Sequence, residues 1–101
     1  MTEHYVLDGI EPVEVDALTW AKWFEKNDRK IALARLANRV TVSTVFLGLD
    51  HQYGDGPPLL FETMIFGGAE DQWCDRYTTW EQAISGHVDA IFRALKAEDE
   101  S

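Results

Sequence analysis

The sequence predicts one α+β domain, spanning residues 1–101, in which an antiparallel sheet of about four strands carries two helices on one face. The length of 101 residues is typical of a single compact domain. Residues 39–66 are rich in β-branched and aromatic side chains, which strands favour. A segment with a helix cap lies on each side of this region, at Asp16 and at Thr79. This order favours helices that pack together on an antiparallel sheet.

The first residues predict a small hairpin followed by a helix. His4–Leu7 is short and apolar and precedes an Asp-Gly turn signal, after which residues 11–15 alternate between polar and apolar side chains. Pro12 removes one backbone donor, which leaves the pairing of the hairpin uncertain. Asp16 is a favourable N-cap, so we expect a helix from there to about Lys26.

The centre of the chain predicts three or four antiparallel strands. The composition of residues 30–36 permits a helix, but the strand-rich run that follows favours a hairpin partner, so we predict a strand. Residues 39–49 form the next strand, and residues 59–66 return after a loop rich in Gly and Pro. Residues 73–78 are a further strand. Alternation in the first central strand places four side chains on one face: Val40, Val42, Thr44 and Phe46.

The last helix is the most strongly patterned element. Thr79 and Gln82 have the spacing of a capping box, and we expect the helix to end near Lys96. Residues 97–101 are expected to be a frayed acidic tail. Apolar residues at helical spacing predict an inward stripe of Trp80, Ile84, His87 or Val88, Ile91 and Leu95.

Charge is the most informative bulk property. The chain carries 18 acidic and 9 basic residues, a net charge of −9. Phosphate backbones and anionic membranes favour basic surfaces, so we expect no direct nucleic-acid ligand and no membrane. Residues 1–21 and 40–75 contain no Lys or Arg. Such acidity keeps small proteins dissolved and monomeric, and that can be its whole purpose. Alternatively, a face of one sign steers the protein onto a basic partner.

No catalytic or metal-binding motif stands out. Asp50, His51 and Glu62 are suitable ligand types, but their spacing matches neither a calcium loop nor a zinc motif, so we predict no metal and no cofactor. The single Cys74 has no histidine at a diagnostic spacing. His87 is expected to be a partly buried, hydrogen-bonded core residue. We therefore predict that the protein is not an enzyme.

The candidate partner-binding residues come from the acidic stretch. Tyr53 lies in an acidic loop rich in glycine, where an aromatic side chain is a good interface anchor. Together with the acids around it, it defines the expected binding set: Asp50, Tyr53, Asp55, Glu70, Asp71 and Asp75.

Four further segments of the sequence are distinctive as a set: residues 43–51, 56–64, 66–68 and 77–83, with Gly86 and His87. They resemble a set of small, uncharacterised acidic proteins encoded by bacteriophages and prophages. The resemblance brings no catalytic residue with it, and it implies context alone, because phage accessory genes often encode small acidic proteins that disable host factors, anti-CRISPR proteins among them.

These observations together predict a phage-derived, non-enzymatic inhibitor, which covers a basic, nucleic-acid-binding surface of a host defence protein. One cysteine, no apolar window of membrane length and no secretion signal at the start predict a cytoplasmic location in the host cell. The alternative is a small-molecule or metabolite-binding module. A monomer and a homodimer are both compatible with the sequence.

Overall fold

The computed structural model describes residues 3–52 and 54–100. The fold is α+β, which confirms the predicted class. Within the described residues the elements, in chain order, are β1 (His4–Asp8), β2 (Glu11–Val15), α1 (Ala17–Lys26), β3 (Lys30–Arg35), a short 3-10 turn (Ala37–Arg39), β4 (Thr41–Phe46), β5 (Phe61–Phe66), β6 (Cys74–Tyr77) and α2 (Trp80–Glu100). No helix in this part of the chain is long and apolar enough to cross a membrane.

The main sheet has four antiparallel strands in the order β3-β4-β5-β6. The ambiguous residues 30–36 therefore contain a strand, as predicted. The hairpin of β1 and β2 forms a separate sheet whose register pairs Leu7 with Pro12. This hairpin is joined to the segment after β4, because the Tyr5 backbone N–H donates to the Gly48 carbonyl at 2.8 Å and His4 bridges Leu49.

The sheet buries one face under α2. Val42, Thr44 and Phe46 on β4 are fully buried, and Val40 just before the strand is 1% exposed, so the predicted shared face is confirmed. The facing side chains of β5, which are Phe61, Thr63 and Ile65, are buried as well. Helix α1 reaches only one end of this face, where the Trp23 and Phe46 ring centroids lie 5.8 Å apart.

The predicted inward stripe of α2 is wrong for Ile84 and Leu95, and of the alternatives His87 and Val88 it is His87 that faces inward. Ile84, Val88 and Leu95 are exposed, as is Phe92. The buried positions of α2 are instead three alanines and a histidine: Ala83, His87, Ala90 and Ala94. Small side chains allow the helix axis to approach a sheet face already filled with phenylalanine, isoleucine and valine. The large apolar side chains consequently point away from the sheet.

Both helix caps form as their sequences predict. The Asp16 carboxylate accepts a hydrogen bond from the Thr19 backbone N–H at 2.8 Å. The Thr79 hydroxyl accepts from the Gln82 backbone N–H at 3.1 Å, and the Gln82 side chain accepts from the Thr79 N–H at 3.2 Å. Helix α2 continues to Glu100, past the predicted end near Lys96. Fraying of residues 97–101 stays a prediction.

A buried polar chain interrupts the apolar core. The hydroxyls of Thr44 and Thr63 lie 2.5 Å apart, and the Thr44 hydroxyl lies 2.7 Å from Nδ1 of His87. His87 is 7% exposed, so the expected hydrogen-bonded core histidine is confirmed. Apolar clusters lie on either side, one around Phe46 and Phe61 and one around Val42 and Ile65. Burial lowers the pKa of His87.

The lowered pKa of His87 predicts that stability falls in mild acid. The unfolded chain takes up a proton near pH 6.5, whereas the folded protein resists protonation until a lower pH. The free energy of unfolding should therefore decrease as the pH falls below about 6.5. Denaturant titrations across this range should show a smaller decrease for His87→Asn than for the wild type. Equal slopes in His87→Asn and the wild type would contradict the assignment.

Contact between Phe24 and Gly48 sets the position of α1. Gly48 has a φ of +75°, and a Cβ there would overlap the Phe24 ring. The same ring also contacts Trp20, at 4.3 Å between centroids, and the Arg29 guanidinium, at 4.6 Å from the ring centroid. Glycine at this position therefore permits both the backbone conformation and the close approach of α1.

Alanine substitutions at two glycines should separate these effects. Gly9 has a φ of +63°, and no atom lies within 4 Å of the position that a Cβ would take. Gly9→Ala should therefore lower the free energy of unfolding by only roughly 1 kcal/mol, because a positive φ is unfavourable for alanine. Gly48→Ala should cost about 1–3 kcal/mol more, because the methyl group displaces the Phe24 ring. Chemical denaturation measures both values. Equal losses for the two variants would show that the ring contact does not matter.

Candidate functional site

An acidic concavity lies where the β1–β2 hairpin meets the loop between β4 and β5. It has a volume of about 510 Å³. Four carboxylates and one phenol in its lining define the acidic groove: Glu3, Tyr5, Glu14, Asp50 and Asp55. No Lys or Arg is among the described residues that line it.

The fold forms this groove by bringing together two distant parts of the sequence. The Asp50 backbone N–H donates to the Glu3 carbonyl at 3.1 Å, next to the Tyr5–Gly48 hydrogen bond. The two segments without basic residues, 1–21 and 40–75, therefore meet along one line of backbone contacts. Each segment is acidic alone, and their pairing concentrates negative potential on one side of the hairpin.

Asp50 has a structural role within the groove. Its Oδ1 accepts hydrogen bonds from the backbone N–H groups of Gln52, at 2.8 Å, and Leu59, at 3.1 Å. The bond from Gln52 forms a local turn, and the bond from Leu59 closes the loop between β4 and β5. The Asp50 carboxylate thus fixes the loop that carries Asp55, and substitutions of Asp50 would alter the loop as well as the charge.

Tyr5 responds to the charge of the groove. Its hydroxyl donates to Oε2 of Glu14 at 3.4 Å. Burial raises the pKa of Tyr5, and the negative charges of Glu14 and Asp50 raise that pKa further. Each effect disfavours ionisation of the phenol, which would place another negative charge beside the carboxylates. The neutral tyrosine therefore remains a hydrogen-bond donor between carboxylates, with its ring beside them.

The structure does not gather the predicted binding set on one surface. Asp50 and Asp55 precede β5, whereas Glu70 and Asp71 follow it, so the two pairs are separated by the strand length of roughly 20 Å. Tyr53 lies outside the described residues. Whether these residues bind a partner stays a prediction.

Besides Asp50, three more of the predicted acids have partners inside the protein. The Asp71 carboxylate accepts from the Gly67 backbone N–H at 2.6 Å, and Glu70 forms an ion pair with Arg93 at 3.2 Å. The Asp75 carboxylate accepts from the Arg76 backbone N–H at 2.9 Å. Glu70 and Asp71 therefore hold the turn after β5 and its contact with α2.

A second groove of about 510 Å³ runs between β6 and α2. Its lining includes two aromatic and four charged side chains: Trp73, Tyr77, Asp75, Glu81, Asp89 and Arg93. The Arg93 guanidinium lies 4.8 Å from the Trp73 ring centroid and also pairs with Glu70, so the cation of this lining is already engaged.

Asp50, His51 and Glu62, which are suitable metal-ligand types, do not form a metal-binding group in the described part of the chain. Glu62 points from β5 to Arg76, with 2.9 Å between the carboxylate oxygen and Nε. Among residues 3–52 and 54–100, no group of three His, Cys, Asp or Glu side chains could hold a metal ion.

Sequence reasoning missed three residues of the acidic groove: Glu3, Tyr5 and Glu14. A signal for them exists, because residues 1–21 lack basic side chains. What sequence alone could not give was the pairing of β1 with residues 48–50, a long-range contact between segments. Comparison of the chain with protein-family models, curated proteins and solved structures finds no match.

The electrostatics of the groove can be tested through Tyr5. Glu14→Gln removes one negative charge beside the phenol and should lower the pKa of Tyr5 towards its ordinary value, without abolishing the effect of burial. Titration of ring-labelled tyrosines by NMR measures this. Glu25→Gln on the exposed side of α1 removes the same charge elsewhere and should leave the Tyr5 titration unchanged. Equal effects of both variants would indicate a global charge effect.

Proposed function

We propose that the protein is a non-enzymatic binding protein whose acidic groove engages a basic segment of a partner protein. The observation that carries this proposal is the convergence of Glu3, Glu14, Asp50 and Asp55 around Tyr5 in a concavity with no basic side chain in its described lining. A groove of about 510 Å³ can accept one or two long cationic side chains.

The groove is better suited to binding an inserted arginine side chain than to binding a broad, evenly charged basic surface. A carboxylate can accept two parallel N–H bonds from a guanidinium, and the Tyr5 hydroxyl lies 3.4 Å from the carboxylate of Glu14. The carboxylates of Glu3 and Asp55 make no hydrogen bond or ion pair within the described chain, so they are available to a partner. The net charge of −9 adds long-range attraction to a cationic target.

The finer proposal concerns the partner and its context. Basic surfaces that bind nucleic acids are targets for an acidic protein of this size, because the protein then competes with phosphate groups for the same Lys and Arg side chains. The resemblance of several segments to phage and prophage proteins favours a host defence protein as the target. The protein would then act as an anti-CRISPR-like inhibitor that occludes the nucleic-acid site.

Charge reversal in the groove should weaken partner binding. Glu14→Lys combined with Asp55→Lys should reduce affinity for an oligo-arginine peptide by roughly 10-fold or more, measured by fluorescence anisotropy. The matched control is Glu25→Lys with Asp99→Lys, which changes net charge equally at exposed positions outside the groove. Binding should weaken in high salt and be absent for an oligo-glutamine peptide. An equal loss of affinity in both double variants would show that net charge, and not the groove, binds the peptide.

A lysate experiment tests the finer proposal. Tagged wild-type protein and both double variants are incubated with a bacterial lysate in low salt, and captured proteins are identified by mass spectrometry. The expected result is a nucleic-acid-binding protein that is captured by the wild type and by the control, and that added nucleic acid displaces. Equal capture by the groove variant would overturn the role of the groove, and a captured protein without a basic surface would overturn the partner class.

A further inference from the structure

The outer face of α2 carries an apolar stripe that nothing in the described chain covers. Ile84, Val88, Phe92 and Leu95 define this stripe, and their exposed fractions run from 38% to 66%. Their spacing of four, four and three residues places them on one side of a helix. At 100° per residue, the stripe lies roughly 125° around the helix from the buried residues of α2, so it forms an exposed flank of the helix.

We propose that the stripe is a homodimer interface, in which α2 packs antiparallel against α2 of a second copy. A partner must be apolar along the stripe and must complement its shape, and a second copy of α2 meets both requirements. Together the four side chains expose roughly 400 Å², taking about 200 Å² for a fully exposed large apolar side chain. Patches of this size on a small protein are often interaction sites.

The shape of the stripe is self-complementary. A shallow, open depression lies beside its first half, lined by Trp80, Glu81, Ile84, Ser85, Val88 and Asp89. Four of these residues, at positions 81, 84, 85 and 88, have the spacing of a hole that receives one side chain of a neighbouring helix. Phe92, the most exposed side chain of the stripe at 66%, is the protruding group that can fill it.

The positions of hole and protrusion match an antiparallel two-fold arrangement. With the symmetry axis at Val88, Phe92 lies about 6 Å along the helix on one side, and the centre of the hole lies about 5 Å away on the other side. Each copy therefore inserts its Phe92 into the hole of its neighbour, and the same contact forms twice. A parallel pairing would place Phe92 against Phe92 and leave both holes empty.

Charge complementarity favours the same register. Glu81 lies seven residues before Val88 and Lys96 lies eight residues after it, both beside the stripe. In the antiparallel arrangement, each Glu81 comes opposite Lys96 of the second copy. The stripe and its flanking side chains supply less than the standard area of about 800 Å² per partner, so we expect a dissociation constant on the order of 10 µM.

Sedimentation of matched variants tests the interface. Wild-type protein should change from monomer to dimer across a concentration range around 10 µM, and Phe92→Asp should weaken dimerisation by about 30-fold or more. Leu18→Asp on α1 is the control, because Leu18 has the same exposed fraction of 66% but lies outside the stripe. Circular dichroism and thermal melts should show that both variants fold, since both side chains are exposed.

A charge exchange tests the register. Glu81→Lys and Lys96→Glu should each weaken the dimer by about 3-fold, and the double variant should recover most of the loss, because the two opposite charges are restored. A wild-type protein that remains monomeric at about 200 µM overturns the proposal, as does a dimer that Phe92→Asp leaves unchanged. Loss of the dimer without recovery in the double variant overturns the antiparallel register.

Discussion

Close packing of the small-residue side of α2 on the sheet is the constraint on which the rest of the structure depends. The buried face of β4 and β5 is filled by large side chains, Phe46, Phe61 and Ile65 among them, so the layer between sheet and helix has little room left. Alanine at positions 83, 90 and 94 meets this limit. The same geometry turns the Ile, Val, Phe and Leu side chains of α2 outward. One packing solution therefore produces both the core and the apolar surface.

The buried threonine and histidine side chains fix where along the sheet α2 lies. Alanines alone would tolerate sliding of the helix by a turn, since one small apolar contact resembles the next. Thr44 must meet Nδ1 of His87, because an unpaired hydroxyl or imidazole in the core would cost about 1–3 kcal/mol. The polar contact between Thr44 and His87, which lies between two apolar clusters, thus selects one position of α2 along the sheet where the shape of the packed surfaces would allow several. The position of the outward stripe follows from it.

The sequence was sufficient to predict the helices and strands and the buried face of the sheet. It was insufficient to predict which side of α2 packs on the sheet. Alternation from Val40 to Phe46 has a single interpretation, and the caps at Asp16 and Thr79 are local chemistry, so these predictions are confirmed. Two sets of residues in α2 both have helical spacing, and hydrophobicity favours the larger ones. Only the volume already occupied by the sheet selects the alanines. The acidic groove likewise depends on a long-range pairing between β1 and residues 48–50.

The two proposed surfaces respond to salt in opposite directions, which allows each to be judged separately. Binding of a basic partner in the acidic groove gains from the net charge of −9 and is screened as salt rises. Two copies of the chain repel each other through that same charge, so the dimer should become stronger as salt screens the repulsion. The pairing of Glu81 with Lys96 weakens in salt, but an exposed ion pair contributes too little to reverse the trend. If the groove bound its partner only in the dimer, the opposite salt dependences would no longer be separable, because partner binding and dimerisation would then be linked equilibria.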